Sequence, residues 1–198
     1  MNYIKDVPLY NDDDTINVVV EIVEGSTDKN ELVQPAFNNL ECVRYIPIPY
    51  PFYYGSFPQT LADDKDPLDM ILFTDKEHHL LDLVKVDVIG AVKTIDAGEQ
   101  DDKIICVESD CKLMNVRKQM KKAMKFLKLY KGKNADMKID KKLASMSEAF
   151  QLVEEAHLNW RDSSAAKVIN SKRVSSNNNN NNNVNDNKMI KRVRVTRN

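Results

Sequence analysis

Four prolines fall within the thirteen residues Ile46-Pro-Ile-Pro-Tyr-Pro-Phe-Tyr-Tyr-Gly-Ser-Phe-Pro58. Each proline removes a backbone donor and fixes φ at about −65°, so no helix and no central strand is expected across this stretch. The aromatic residues between the prolines predict a rigid, packed loop, with Phe52 and Phe57 as packing residues and Tyr53 without an assigned role. This loop divides a strand-rich region. Before it, residues 16–23 are β-branched and apolar, a strand that carries Glu21 on one side, and 30–44 read as two more short strands. After it, 69–74, 83–93 and 103–107 have strand patterning, and the second of these is long enough to bend at Gly90.

The pattern then changes period. Leu113, Val116, Met120, Ala123, Met124, Leu127 and Tyr130 recur at helical spacing with lysines between them. A second helix is expected over 147–160, with Ala149, Leu152, Val153, Ala156 and Trp160 as its apolar stripe and Ser145 with Glu148 as a capping box. Strands followed by helices predict an α+β fold: a small closed, OB-like β-barrel core with flanking C-terminal helices. Residues 1–14 read as a flexible polar lead-in and 15–165 as the folded domain. The stretch 166–198, with its asparagine run 177–183 and basic end, reads as a disordered tail.

The chain has 198 residues with 29 basic and 30 acidic side chains. This balance gives no general reason to expect nucleic acid or a membrane as the main partner. Three cysteines without regular spacing suit a reducing compartment, and Cys106 falls in an apolar stretch. The acidic start lacks an apolar signal-type stretch, and no apolar run reaches the ~20 residues of a membrane helix. A cytoplasmic location is expected.

Charge is distributed unevenly. Asp64-Lys-Asp66-Pro67-Leu-Asp69 sets three carboxylates on a stiff turn before a strand. Such carboxylates repel one another unless a cation sits among them, and hard oxygen donors suit Mg²⁺, Mn²⁺ or Ca²⁺. A solvated acidic turn accounts for the segment equally well. An EF-hand loop does not: counted from Asp64, the sixth residue is Asp69 rather than glycine and the twelfth is Asp75 rather than glutamate. A second acidic turn, Asp96-Ala-Gly98-Glu99-Gln-Asp101-Asp102-Lys103, again precedes a strand. Two such turns favour one shared polynuclear metal site. Lys29, Arg44, Lys103 and Lys131 are cations suited to phosphate, and Tyr50, Tyr54 and Tyr130 add hydroxyl donors.

In this order, these segments resemble the soluble family I inorganic pyrophosphatases. The pattern D-x-D-P-x-D stands at 64–69, D-x-G-E-x-D-x-K at 96–103, Y-P-x-x-Y-G at 50–55 and a helix-ending Y-K at 130–131. The resemblance runs from about Asn17 to Trp160 and implies hydrolysis of pyrophosphate to two phosphates with several Mg²⁺ ions per site. It implies that Asp64, Asp69 and Asp101 hold activating metals, that Asp96 contributes to another, and that Glu21 and Glu31 hold a substrate-bringing metal. It implies Asp66 as the general base on the attacking water. Lys29, Arg44, Tyr54, Lys103, Tyr130 and Lys131 would hold the phosphoryl groups, and Tyr50 would stand behind them. It also implies a homo-oligomer, hexamer favoured over dimer.

The residue types suit that reaction. Metals and Lys/Arg neutralise a dense anion, a metal pair lowers the pKa of a water between them, and a carboxylate accepts its proton. No covalent nucleophile is required, and His78, His79 and His157 are read as non-catalytic. Lys65, Asn30, Val43 and Tyr53 depart from the family pattern. Val43 and Lys65 support a competing reading: a catalytically weakened relative that binds metal or phosphate. A nucleic-acid binder using the basic tail is a third reading, opposed by the acidic clusters.

Overall fold

A computed structural model describes residues 1–111, 115–132 and 137–164. Contacts divide the chain into a unit of residues 1–160 and a unit of 161–198, and of the second only 161–164 are described, as helix. Leu113 of the predicted helix stripe and the tail assigned to 166–198 lie outside the described residues.

Among the described residues ten strands are present: β1 Ile16–Ile22, β2 Asp28–Leu32, β3 Leu40–Tyr45, β4 Tyr53–Ser56, β5 Asp69–Phe73, β6 Leu83–Val92, β7 Thr94–Asp96, β8 Glu99–Gln100, β9 Lys103–Glu108 and β10 Met137–Ile139. Five of them close a barrel in the order β1-β4-β5-β9-β6, and pairing of Ile16 with Val86 joins its ends. Closure removes the exposed edges of the sheet, so every barrel strand has its backbone paired on both sides. β2 and β3 form a separate hairpin beside the barrel, and β10, β7 and β8 form a three-stranded sheet.

The fold class is as expected, with two differences in detail. The proline-rich segment does contain a barrel strand: β4 occupies Tyr53–Ser56, the proline-free interval between Pro51 and Pro58. The prolines flank the ladder instead of interrupting it. Residues 1–14, expected as a polar lead-in, bury Ile4, Val7 and Leu9, and Tyr10 bridges to Ile16. Three apolar side chains spaced through an acidic segment cover the barrel wall, where their burial offsets the entropy of ordering it.

At Gly55 the strands β1 and β4 meet closely: a Cβ there would lie 1.9 Å from the Val19 carbonyl oxygen. Only glycine fits this contact, because the clash is with ladder backbone. β6 carries a bulge between Val88 and Gly90, which bends the long strand where the sequence placed the bend.

Helix α1 spans Val116–Leu127, shorter than expected: Tyr130 and Lys131, which the sequence placed at a helix end, stand in the turn that follows it. Its Ala123, Phe126 and Leu127 are buried in one cluster with Ile22 and Ile105 of the barrel and Tyr50 and Phe52 of the proline-rich segment. Packing holds this helix, because its local signals are poor. Asn115 makes no side-chain cap bond, and the first turn carries no acid. Like charges at 117/121, 118/122 and 121/125 each oppose the helix by about 0.2–0.5 kcal/mol.

A second helix, α2, covers 146–164. It starts with the expected capping box. Ser145 donates its backbone N–H to Glu148 at 2.8 Å, and Glu148 returns its own N–H to Ser145 Oγ at 3.3 Å. Ala149, Val153 and Ala156 pack on the barrel core with Phe57 and Leu68.

All three cysteines are free, and Cys106 is fully buried. Among the described residues no helix is long and apolar enough to cross a membrane.

A polar cluster braces the far end of β5 and β9. Thr74, Lys76 (2.7 Å) and His78 (2.9 Å) converge on the Glu108 carboxylate. Burial pushes that carboxyl up, but the bonds from Lys76, Thr74 and His78 outweigh it and hold it below its ordinary value of 4.5. A depressed folded-state pKa stabilises above the unfolded value, and the effect is lost as pH falls through the folded one. Glu108→Gln is therefore expected to lower the melting temperature by about 3 °C at neutral pH. Melting curves of the two proteins should converge as the pH is taken down through the depressed folded-state value; a difference that persists in acid would assign the effect to packing.

Candidate active site

β5 and β9 are adjacent and parallel, and their register pairs Asp69 with Lys103. The two acidic turns precede these two strands, so the parallel pairing brings both turns to the same end of the barrel. That end opens into a cavity of about 230 Å³.

The cavity is lined by the carboxylates of Glu21, Glu31, Asp64, Asp66, Asp69, Asp96 and Asp101. It is also lined by Lys29, Lys103 and Lys131 and by Tyr54 and Tyr130. Twelve of the fourteen residues singled out in the sequence thus share one cavity. Arg44 and Tyr50 do not line it. The exposed Arg44 guanidinium lies 5.9 Å from the centre of the Tyr130 ring, at the rim. Tyr50 is buried behind, with ring centres 4.7 Å from Phe126 and 5.7 Å from Tyr54.

Each lysine in the cavity is paired with a carboxylate. Lys103, only 1% exposed, stands between Asp69 (2.5 Å) and Asp101. Lys29 pairs with Glu31, and Lys131 pairs with Asp96. Opposite charges in a cavity of reduced dielectric close on one another when nothing else neutralises them.

Burial pulls the Lys103 ammonium down, but Asp69 and Asp101 outweigh it and hold its pKa above the ordinary lysine value. Lys131 behaves oppositely. Burial and then repulsion from Lys29 and Arg44 bring it down to about 8. Tyr54 donates its hydroxyl to Asp69 at 2.6 Å. Tyr130 is set at the cavity by α1, stacked on Phe126 at 5.2 Å.

Local backbone features aim several of these groups. Glu21 sits in a bulge of β1: Val20 faces Gly55 and Ile22 faces Tyr54, so Glu21 is the extra residue. A bulge re-aims a side chain without breaking the barrel. Glu21 accepts from Ser56 Oγ at 2.5 Å. Burial, with smaller contributions from Asp69 and Glu31, pushes its carboxyl up to about 8 despite that bond. Val43 is the extra residue of β3, opposite the step from Lys29 to Asn30. Val43 and Lys65 are both exposed and do not line the cavity, so these two departures take no group out of it.

Two further residues hold the site and carried no assignment from sequence. Ser56 is legible in retrospect, because on a strand it shares a face with Tyr54. Gln34 donates Nε2 to Asp66 Oδ1 at 3.1 Å. Nothing local signals that contact, because it joins segments 32 residues apart. None of the three histidines lines the cavity; His157 bonds the Gln59 carbonyl at 2.7 Å.

The donor set fits hard divalent cations. It is all oxygen, and the Glu21 and Asp101 carboxyls are held up at about 8 and about 6, mainly by burial. A cation among such groups removes the repulsion and displaces their protons. Among the described residues no three acidic, imidazole or thiol groups are close enough to hold an ion as they stand. Lys103, between Asp69 and Asp101, shows why: an ammonium occupies the space between two of the candidate ligands.

Comparison with known proteins places this arrangement. A family model described as inorganic pyrophosphatase matches residues 18–161. An inorganic pyrophosphatase of Synechocystis sp. is 40% identical over 93 residues, covering 46% of this chain and 55% of that protein. The chain therefore spans about half the length of the first curated relatives it matches. The inorganic pyrophosphatase of Picrophilus torridus is 32% identical over 151 residues, covering 70% of this chain and 85% of that one. In fold, the type I inorganic pyrophosphatase of P. falciparum superposes with a TM-score of 0.77 at 24% identity, covering 87% of this chain and 68% of that chain. A family match across most of the sequence, joined to the same barrel and to both acidic motifs at one cavity, leaves one conclusion: the chain belongs to the inorganic pyrophosphatase family.

Proposed function

We propose that this protein hydrolyses inorganic pyrophosphate to two phosphates with Mg²⁺ as the activating ion. One observation carries the reading: seven carboxylates and three lysines share a single cavity at the paired ends of β5 and β9. A surface salt-bridge network would not need so many carboxylates turned toward one another.

In this reading Asp64, Asp69 and Asp101, with Asp96 beside them, hold the activating ions, and Glu21 and Glu31 hold an ion that arrives with substrate. When bound, the ions neutralise substrate charge and make a water in the cavity more acidic. The chain's own groups do the rest. Lys29, Lys103 and Lys131, which pair with carboxylates in the structure, would donate to phosphoryl oxygens once those carboxylates hold metal. Tyr54 and Tyr130 donate hydroxyls to the same oxygens. Arg44 closes over the rim as a bidentate donor, and Tyr50 keeps Tyr54 and the α1 end in place. Asp66 accepts the proton of the attacking water. Rigid placement by the barrel supplies the in-line geometry. The catalytic unit on this reading is 15–165, which the family match over 18–161 supports.

Phosphate release from pyrophosphate by the purified chain tests the proposal. Rapid release in Mg²⁺, abolished by chelator and restored by Mg²⁺, is expected. A well-folded protein that releases no phosphate in Mg²⁺ or Mn²⁺ would leave the weakened-relative reading in its place.

A further inference from the structure

Every exposed residue of α1 and its first following position is cationic: Arg117, Lys118, Lys121, Lys122, Lys125 and Lys128. At 100° per residue these six cover a continuous arc of about 140° of the helix surface. Among the described residues none of them is in an ion pair, whereas Lys29, Lys76, Lys85, Lys103 and Lys131 each pair with a carboxylate. Arg117, Lys121, Lys125 and Lys128 line a groove of about 490 Å³ between α1 and the segment of Lys141 and Leu143. A smaller hollow of about 200 Å³ follows, lined by both Lys128 and Lys131. Lys131 in turn lines the active-site cavity. Positions 117, 121 and 125 thus set one cation per turn of α1, with Cβ atoms roughly 5–6 Å apart, and Lys128 and Lys131, in the turn after the helix, continue the row toward the phosphoryl-binding cations.

We propose that this face of α1 binds linear inorganic polyphosphate, with one end of the polymer entering the pyrophosphate site. The inference rests on the function proposed above and names a second ligand class for the same site. A polymer of phosphate satisfies a row of evenly spaced cations, and its terminal diphosphate unit matches the cavity at the end of the row. Nucleic acid fits less well: no aromatic side chain lines the groove to stack a base, and no amide lines it to read a base edge. A second copy of the chain is disfavoured as the occupant through a two-fold contact of this face, because the same cationic patch would meet itself.

The test compares wild type with the triple variant Arg117→Gln, Lys121→Gln, Lys125→Gln, which removes like-charge repulsion from an exposed face and should fold at least as well. Anisotropy of end-labelled polyphosphate reads binding directly, without turnover. Pyrophosphate hydrolysis is followed in parallel, with Mg²⁺ clamped in excess over phosphate units. Wild type is expected to bind the polymer, and the polymer to raise the apparent KM for pyrophosphate without changing kcat. In the triple variant both effects should weaken about tenfold, while kcat and KM without polymer stay within about twofold. Equal binding by both proteins would overturn the track. So would single-stranded DNA or polyglutamate binding as tightly as polyphosphate at matched charge. A wild type that binds the polymer but hydrolyses no pyrophosphate would strike down the proposed activity and, with it, the entry of the polymer end into a reacting site.

Discussion

Lys103→Met is expected to lower the melting temperature by about 10 °C in metal-free buffer and to remove most of the hydrolytic activity. Lys103 is 1% exposed and is the one ammonium between Asp69 and Asp101. Methionine keeps the length and apolar stem of the side chain, so packing changes little. The charge is what disappears. Breaking a buried pair costs about 3–5 kcal/mol, because the remaining charge stays desolvated and unpaired. Asp101 already sits near 6 with Lys103 beside it, burial outweighing the attraction. Without the ammonium it is driven further up and shifts toward the neutral form.

A divalent cation supplies the charge that the variant lacks, so millimolar Mg²⁺ should recover part of the lost melting temperature, and more in the variant than in wild type. Activity should not recover with it, because on the proposed function Lys103 is a phosphoryl-binding donor; a loss of roughly 10²–10³ in kcat is expected. Thermal melts with and without Mg²⁺, paired with initial rates, check both halves. A variant as stable as wild type without metal would mean that Asp69 and Asp101 relieve their repulsion by moving apart.

The chemistry of this protein was more legible than its closure. Asp64 to Asp69 and Asp96 to Lys103 stand out because each motif is local, although either alone reads equally well as a solvated acidic turn; it is their placement at one cavity that the sequence does not show. The strands over 16–23, 69–74 and 103–107 were legible because they too are local: β-branched runs specify extended chain within their own length. What joins them is not local. Residue Ile16 must find Val86 to close the barrel, and no pattern in either strand names the other. β4 was hidden because the prolines around it speak louder than the four residues between them. The burial of Ile4, Val7 and Leu9 was hidden because acidic neighbours dominate the segment's composition.

The cavity's charge pairing was also out of reach. Sequence identifies Lys29, Lys103 and Lys131 as cations suited to phosphate. Their actual partners, Glu31, Asp69 with Asp101, and Asp96, follow from the parallel register of β5 and β9, the β2–β3 hairpin and the seat of α1. This pairing has a physical consequence. Three lysines offset part of the repulsion among the seven carboxylates of the cavity, which favours the folded state in the absence of a cation. On the proposed function, metal held by these carboxylates and a phosphate anion held by these lysines would each release the partner of the other, so binding of the two should be mutually reinforcing.

Asp66→Asn is expected to lower kcat by about 10³ while leaving melting temperature and Mg²⁺ dependence close to wild type. Asp66 differs from the other carboxylates of the cavity in its partners. Glu31, Asp69, Asp96 and Asp101 each hold a lysine, and Glu21 holds the Ser56 hydroxyl. Asp64 accepts the backbone N–H of Asp66 at 3.1 Å. Among the described residues the Asp66 carboxylate takes only the neutral amide of Gln34, on Oδ1. Its other oxygen is therefore available to a water. Burial, then repulsion from Asp64, Glu31 and Asp69, raises its pKa above the ordinary aspartate value, which makes it the better proton acceptor. Asparagine can present the same Oδ1 to Gln34, so the turn should hold, and only the capacity to accept a proton is lost. Initial rates across a Mg²⁺ titration separate the roles: a base variant loses kcat at every Mg²⁺ concentration, whereas a ligand variant regains rate as Mg²⁺ rises. Recovery of the rate at high Mg²⁺ would move Asp66 from proton acceptor to metal ligand.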